Sequence, residues 1–459
     1  MRKTLALLLA AAVLYLAPAH PRSIKSQPLI ATSKFRTVAN PIPNRYIVVL
    51  ATTDLSPIAD PAPTPVAATS KFASTSAASA ISVDSSSTTS STAEPAPDPQ
   101  VVTTASDLTT TYGGTFSATW SVALKGFRLH STEAQAIAMS GDSKVAFITQ
   151  DGAIAVGTPD TDPIAMTPDP NVGLIPQPNA SWGLDRIDQR SLPLNRYYSY
   201  INDGEGVNAY VIDTGILPTH WEFSGRASAI YDALAGEGTI GVDCNGHGSH
   251  VAGIIGGRTF GVAKKVRLFS VRVLNCQGTG SWSDVINGVN FVTWHRAQSA
   301  QQGYPAVANM SLGGETNSAA DAAVRNSIRA GVTYVVAAGN GNSDAATYSP
   351  AGIAEAITVG ATNRFDARAE FSNYGPTLDL FAPGVSIPSA WIGGDLMIAT
   401  ASGTSMAAPH VAGVVALYLQ NHRTASPAAV RSALVSNSTA GIVSNPGQES
   451  PNRLLFTNY

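Results

Sequence analysis

Charge is scarce in this chain of 459 residues. Lys, Arg, Asp and Glu make up only 13% of it, and they sum to −3. A nucleic-acid partner would call for a basic excess, and no long Lys/Arg run exists, so that class of partner is excluded. Cysteine is scarcer still, with Cys244 and Cys276 alone. Two thiols allow either one disulfide or two free groups. A closed bridge would contribute roughly 3–4 kcal/mol on the chain-entropy account. Long apolar runs are absent after the first twenty residues, so no later segment is expected to span a bilayer, and no membrane partner is expected.

What is present begins at the amino terminus. Arg2 and Lys3 precede an almost wholly apolar stretch, Leu5 to Leu16, and Ala17-Pro18-Ala19 supplies small residues for cleavage. This is the pattern of a secretory signal covering 1–19, and it predicts a secreted, extracellular protein. Residues 20–42 carry no periodic pattern. Arg45 to Leu50 reads as a short buried strand. Residues 52–100 are dominated by Ser, Ala, Thr and Pro and read as a disordered insertion. Structure resumes near Val101, with a strand over Ser117–Lys125, a capping box at Thr132–Gln135 opening a helix to about Met139, and a strand at Val145–Thr149. The order strand, helix, strand, helix, strand predicts a small α+β domain. Residues 157–180, rich in Pro, Asp and Thr, read as an exposed linker.

From about Trp182 the pattern changes. Apolar strands at Val207–Ile212, Val266–Val273, Val307–Leu312 and Thr333–Ala337 alternate with helices near 248–256, 283–299 and 318–330. Strands that are apolar on both sides of the pleat are buried on both faces. The expected fold class is α/β, a parallel twisted sheet with helices on both faces, plus the small α+β domain.

Four segments carry chemistry. Val211-Ile212-Asp213-Thr214-Gly215 ends an apolar strand in a carboxylate, at the strand end where open parallel sheets form their sites. Asn245-Gly246-His247-Gly248-Ser249-His250 places an imidazole among small residues at a helix start. Ser402-Gly403-Thr404-Ser405-Met406-Ala407-Ala408-Pro409 places a hydroxyl just inside a helix, where free N–H groups stabilise developing negative charge. Val335-Val336-Ala337-Ala338-Gly339-Asn340 ends a buried strand in an amide that can donate to an oxyanion. Each alone is ordinary: a carboxylate after a strand, a helix cap, a turn. The order Asp, His, Ser is one of the convergent serine-hydrolase arrangements. Ser405 is then the nucleophile, His247 its base, and Asp213 the group that orients His247. A zinc reading of Cys244, His247 and His250 lacks further ligands.

These segments, over roughly residues 178–459, resemble the subtilase family, most of all its proteinase K and aqualysin-like branch. The resemblance implies catalytic roles for Asp213, His247, Ser405 and Asn340. It implies substrate-binding strands at Gly280 and at Ser311-Leu312-Gly313-Gly314, with Ala337 and Gly339 beside the pocket. It implies broad specificity with an apolar or aromatic preference, protein and peptide substrates, and a monomer. Residues 20–157 are similar to the family's prodomain, an inhibitor and folding assistant, which departs from the family in its insertion at 52–100. The stretch 158–177 is then a linker, with self-cleavage placed between about 165 and 180, and 178–459 is the catalytic domain. Structural calcium is implied at Asp185, Asp188 and Gln189. A second calcium is implied at Asp379 with the carbonyls of Ala354 and Ala356, where the family's usual Pro is replaced by Ala354. The spacing of Cys244 and Cys276 is similar to that of a disulfide in the aqualysin-like group.

Three other readings compete. An inactive binding relative is disfavoured because all four catalytic positions are filled. An aspartic protease needs a second Asp-Thr/Ser-Gly, and none occurs. An esterase with a Gly-x-Ser-x-Gly elbow is disfavoured by Ala407 at the last position.

Overall fold

The computed structural model describes residues 34–51, 94–170, 173–234, 239–300 and 302–459. The signal segment, most of the leader and residues 52–93 of the expected insertion lie outside the described residues. The rest of that stretch is ordered: Asp98 caps a helix, Pro99–Tyr112, by accepting the Gln100 N–H. Pro at its first position is already preset for helix.

Strand Pro41–Leu50 pairs antiparallel with Gly126–His130 on one side and Val145–Ala155 on the other. Its apolar run is buried on both faces. Tyr46, Val48 and Leu50 pack with Val101, Ala105, Leu108, Ala136 and Met139 of the helices Pro99–Tyr112 and Glu133–Ser140. Ile47 and Val49 face the other way, onto the helices Trp282–Ala300 and Ser318–Arg329. The predicted capping box is present: Thr132 accepts the Gln135 N–H while Gln135 accepts from the Thr132 backbone. The strand expected over Ser117–Lys125 runs Thr115–Trp120 instead.

The larger part is a nine-stranded sheet. Its order is Ala227–Asp232, Arg267–Arg272, Asn208–Asp213, Ala306–Met310, Val332–Ala337, Ile357–Thr362, Leu380–Pro383, Arg453–Leu454 and Thr439–Ala440. All pairings are parallel except the last. Alternation along the strands sends side chains to two cores. Ala209, Val211 and Val335 meet the helices His247–Gly256 and Thr404–Asn421; Tyr210, Ile212 and Val336 meet Trp282–Ala300 and Ser318–Arg329. The α/β expectation with helices on both faces holds. The chain moves outward from Asn208–Asp213 and then crosses to its other side, so Asp213 stands at a switch point of the sheet.

The two parts bury one interface, and residues 34–459 form one compact unit. Asp151, fully buried, accepts the Ser283 N–H at 3.1 Å and the Ser283 hydroxyl at 2.6 Å, and pairs with Arg45 at 2.7 Å. It therefore caps helix Trp282–Ala300 from another sheet. Arg128 pairs with Asp284, and Asn290 accepts the N–H groups of Val122 and Ala123. No helix of the described residues is long and apolar enough to cross a membrane. Cys244 and Cys276 are disulfide-bonded, with Cα atoms 4.8 Å apart.

Candidate active site

Asp213 terminates its strand fully buried, and its Oδ1 lies 2.8 Å from Nδ1 of His247. The same oxygen accepts the Thr214 N–H at 2.7 Å. His247 is the first residue of helix His247–Gly256. Its position depends on close backbone contact. A Cβ on Gly248 would sit 2.1 Å from the Gly215 carbonyl, and one on Gly215, at φ +116°, would sit 2.7 Å from the Asp243 nitrogen. Only glycine lets the Asp-Thr-Gly turn and the His helix meet.

Asp243 ties these two segments together. Its Oδ1 accepts the Thr214 hydroxyl and the Asn245 and Gly246 N–H groups, and its Oδ2 accepts Ser249 twice. Thr214 in turn accepts the Gly248 N–H. Sequence reasoning missed this carboxylate. Its only local signal is an acidic residue just ahead of an Asn-Gly turn, a spacing suited to bonding its own backbone.

Burial pushes the His247 imidazole down, but the charge and hydrogen bond of Asp213, with a smaller push from Asp243, hold it above its ordinary value. Its Nε2 is buried and has no protein partner. Ser405, second in helix Thr404–Asn421, donates its hydroxyl to the Ser311 carbonyl at 3.1 Å. That helix contains Pro409, which cannot bond the Ser405 carbonyl four residues back. The Ser311 hydroxyl fills the gap, donating to that carbonyl at 2.7 Å. The proline is thus tolerated because the facing Ser311 supplies the missing donor, and the Ser405 backbone is pinned to the pocket wall.

Asn340 follows strand Val332–Ala337. Its Oδ1 accepts both the N–H and the hydroxyl of Thr404 at 2.9 Å. With the oxygen so engaged, the amide NH2 is turned toward Gly403, whose Cβ position lies 3.4 Å from it. The amide and the N-terminus of the Ser405 helix therefore flank one spot, as an oxyanion requires. The cleft beside it is lined by Ser311-Leu312-Gly313-Gly314, Ala337 to Asn340, Tyr348, Ala351 and Ser405. Gly280, in strand Thr279–Ser281, pairs with Ile154, whose side chain lies 3.3 Å from the Cβ position of Gly314.

The cleft also holds a segment of this chain. Strand Thr279–Ser281 pairs antiparallel with Ala153–Ala155, placing Ile154 opposite Gly280. Val156 donates to the Gly278 carbonyl at 2.9 Å, and Ala155, Val156 and Gly157 line the cleft with Ser405. The chain continues along the far side, where Ile164–Ala165 pairs with Met397–Ala401. Residues 157–166 are therefore not the free linker expected from composition. Main-chain pairing holds most of them and leaves no side-chain pattern to read, while Asp160 accepts the Ser402 hydroxyl and the Thr161 hydroxyl accepts the Thr400 N–H.

The expected calcium ligands divide. Asp185 accepts the Asn195 and Arg196 N–H groups, and Asp188 Oδ2 accepts the Ser199 N–H. Asp188 Oδ1 is buried without a protein partner. Burial, aided by the charge of Asp185, raises its carboxyl to about 6. Gln189 donates to the Ser191 and Pro193 carbonyls, which leaves its oxygen available. This loop offers uncompensated oxygen to a hard cation. The second set does not fit as well. Asp379 Oδ2 accepts the Thr358 N–H, and Oδ1 pairs with Arg431 at 2.6 Å. A guanidinium therefore balances the charge that a cation beside Ala354 and Ala356 was expected to balance. Among the described residues no group of three or more His, Cys, Asp or Glu could hold a metal. Cys244 is in the disulfide, and His250 sits between the Ile387 and Ala399 carbonyls, its pKa lowered to about 3 by burial.

Residues 204–454 match the family model described as Subtilase family. The chain is 54% identical over 316 residues to an extracellular serine proteinase of Thermus sp. (strain Rt41A), covering 67% of this chain and 75% of that one. It is 48% identical over 334 residues to alkaline serine exoprotease A of Vibrio alginolyticus, covering 73% of this chain and 59% of that one. A crystal structure of a cold-adapted subtilisin-like serine proteinase superposes with a TM-score of 0.57 at 48% identity, covering 61% of this chain and 99% of the other.

Proposed function

The chain belongs to the subtilase family, and from that premise we propose that it is made as a self-inhibited precursor, cuts itself after Gly157, and then hydrolyses peptide bonds through Asp213, His247 and Ser405. It is a serine endopeptidase that acts outside the cell. One observation carries the mechanism: His247 is held 2.8 Å from Asp213 by one nitrogen while its other nitrogen, buried, has no protein partner. Ser405 must first rotate from the Ser311 carbonyl. His247 Nε2 then takes the hydroxyl proton as Oγ bonds the substrate carbonyl carbon. The oxygen gains negative charge between the Asn340 amide and the helix N-terminus. His247 returns the proton to the leaving amine, and water repeats the sequence to release the acyl group.

A fluorophosphonate reagent tests the nucleophile. We expect one label per matured molecule, mapped by mass spectrometry to Ser405. A label on another residue, or none on a chain that still cleaves peptide, would sink this reading.

Register supports the cleavage point. Ile154 lies opposite Gly280, Val156 is bonded to Gly278, and Gly157 lines the cleft together with Ser405, which favours Gly157–Thr158 as the bond that Ser405 attacks. We therefore place self-cleavage there rather than at 165–180. The domain ending at Gly157 leaves the apolar pocket unfilled, since a Cβ on Gly157 would meet nothing within 4 Å. Gly157→Leu would bury an apolar side chain among Leu312, Ala337 and Ala351, worth about 1.5–3 kcal/mol. The separately added prodomain carrying it should inhibit the matured enzyme about tenfold to a hundredfold more tightly. Unchanged inhibition would show that the pocket is not where this residue binds.

Calcium at Asp185, Asp188 and Gln189 would tie down the loop 185–199 and would serve stability, not chemistry. At about a hundred times its Kd it would add about 2.7 kcal/mol. EDTA should therefore lower the melting temperature of the parent, and Asp188→Asn should remove most of that response. An Asp188→Asn protein that keeps the full response would place calcium elsewhere.

A further inference from the structure

Strand Ala306–Met310 carries one residue that its burial does not favour. Ala306, Ala308 and Met310 face one apolar core. Val307 faces the other, beneath helix Thr404–Asn421, and alternation puts Asn309 and then Ser311 on that same side. Asn309 is 1% exposed, and its Oδ1 has no hydrogen-bond partner among the described residues. A buried amide with an idle oxygen costs stability. The NH2 is the part in use: Nδ2 donates to the Ser311 hydroxyl at 2.9 Å.

That bond fixes the direction of the next one. A hydroxyl that accepts from Asn309 turns its own hydrogen elsewhere, and Ser311 Oγ gives it to the Ser405 carbonyl, 2.7 Å away. In an unbroken helix this carbonyl would accept from the N–H four residues on. Pro409 stands there, without an N–H, and its ring crowds the same carbonyl. The Ser405 carbonyl is therefore bonded outward, to the residue after the strand, instead of along its own helix. Ser311 meets Ser405 a second time, because the Ser405 hydroxyl donates to the Ser311 carbonyl at 3.1 Å. The two bonds have different fates. The Ser405 hydroxyl must leave the Ser311 carbonyl to reach His247. No step of the reaction disturbs the bond from the Ser311 hydroxyl to the Ser405 carbonyl, so that bond remains to hold the backbone while Oγ moves.

We propose that Asn309 and Ser311 are positioning residues for the nucleophile. The relay from Asn309 Nδ2 through Ser311 Oγ to the Ser405 carbonyl stands in for the helical bond that Pro409 removes. It holds the Ser405 backbone where Oγ can meet both His247 and the carbonyl under attack. Neither side chain bonds a reacting atom. The proposal rests on Ser405 being the nucleophile of the mechanism above.

The test is a double-mutant cycle between Ser311→Ala and Pro409→Ala. Full chains are left to mature, the slower ones for longer. A fluorophosphonate then counts the sites labelled at Ser405, and kcat and KM for a peptidyl nitroanilide are read per labelled site. We expect Ser311→Ala to lower kcat about tenfold to a hundredfold, with KM within about twofold of the parent, because a buried carbonyl is left unpaired beside the nucleophile. With Pro409→Ala already in place the same substitution should cost no more than about threefold, because residue 409 then supplies the missing N–H. Asn309→Leu, or Asn309→Ala should the larger side chain not fit, should also lower kcat. Added to Ser311→Ala it should bring no further loss, because Asn309 acts only through that hydroxyl. An unchanged kcat per labelled site in Ser311→Ala would overturn the proposal, as would a Ser311→Ala cost that is the same with and without Pro409. An Asn309 loss that adds in full to that of Ser311→Ala would overturn the relay. A role in stability alone would lower the melting temperature and the number of labelled sites, not the kcat of each. A label away from Ser405 would be a failure of the mechanism itself, and it is read separately from these rates.

Discussion

Replacing Ser405 by alanine will give a chain that keeps its amino-terminal third and hydrolyses peptides about 10⁶-fold more slowly, the scale measured on removing the serine of a subtilisin. Both effects follow from one atom. The hydroxyl lines the cleft together with Gly157, and the other hydroxyls of the wall are engaged: that of Ser311 with the Ser405 carbonyl, that of Thr404 with Asn340, that of Ser349 with the Asn317 N–H and that of Tyr348 with Ser343. The fold should survive, because the Ser405 carbonyl, which Ser311 holds, remains, and the lost hydroxyl made a single bond to the Ser311 carbonyl. Intact mass of secreted parent and variant reads the first effect. The parent should lose everything up to Gly157 and the variant should keep it. Equal loss in both would mean that maturation does not need Ser405. A parent that keeps the segment would mean that it does not cut itself. Residual peptide hydrolysis near the parent rate would remove Ser405 from the mechanism altogether.

Replacing Asp213 by asparagine is expected to cost about 10⁴-fold in kcat/KM, because the amide can donate to Nδ1 and so favours the wrong imidazole tautomer. It should also move the pH profile. In the parent, burial lowers the His247 pKa while Asp213 raises it, and the balance stands above the ordinary histidine value. The base must be neutral, so the parent's kcat/KM falls as pH drops through that raised value. Without the carboxylate the burial effect remains and the upward push is lost. The acid limb of the residual activity should then shift to lower pH. A large drop in rate with an unmoved limb would mean that another group sets the limb. A small drop would mean that Asp213 is not the orienting carboxylate. To donate to Nδ1 the amide NH2 must stand where Oδ1 does, so the Thr214 N–H, bonded to that same oxygen in the parent, loses its acceptor as well.

Much of the site could be read without coordinates because its parts are short and local. Asp213 ends an apolar run, His247 opens a helix among glycines, and Ser405 does the same, so each leaves a mark within about one turn or strand. The strands around them were legible for the same reason: burial on both faces removes polar residues from consecutive positions. The helix at Glu133–Ser140 announced itself through its capping box. Positions whose partners are distant left no such mark. Asp243 is one carboxylate in a loop until Thr214, Gly246 and Ser249 close around it. Arg431 lies 52 positions from Asp379, and nothing in either segment says that a guanidinium meets that carboxylate. Pro409 reads as a tolerated irregularity, whereas its acceptance depends on the Ser311 hydroxyl, 94 positions from Ser405.

By itself the sequence determined the fold class, the order of Asp213, His247 and Ser405 and the strands and helices that carry them, because burial periodicity and motif spacing are properties of neighbouring residues. The tertiary structure alone decided which segment occupies the cleft. Apart from one side-chain bond each at Asp160 and Thr161, residues 153–156 and 160–166 pair with strands over a hundred positions away through backbone N–H and C=O groups. Those groups are the same in every residue but proline, so no side-chain pattern encodes them. Composition therefore read the stretch after Gly157 as a loose linker, and hydrogen-bond register made it a strap across the active site.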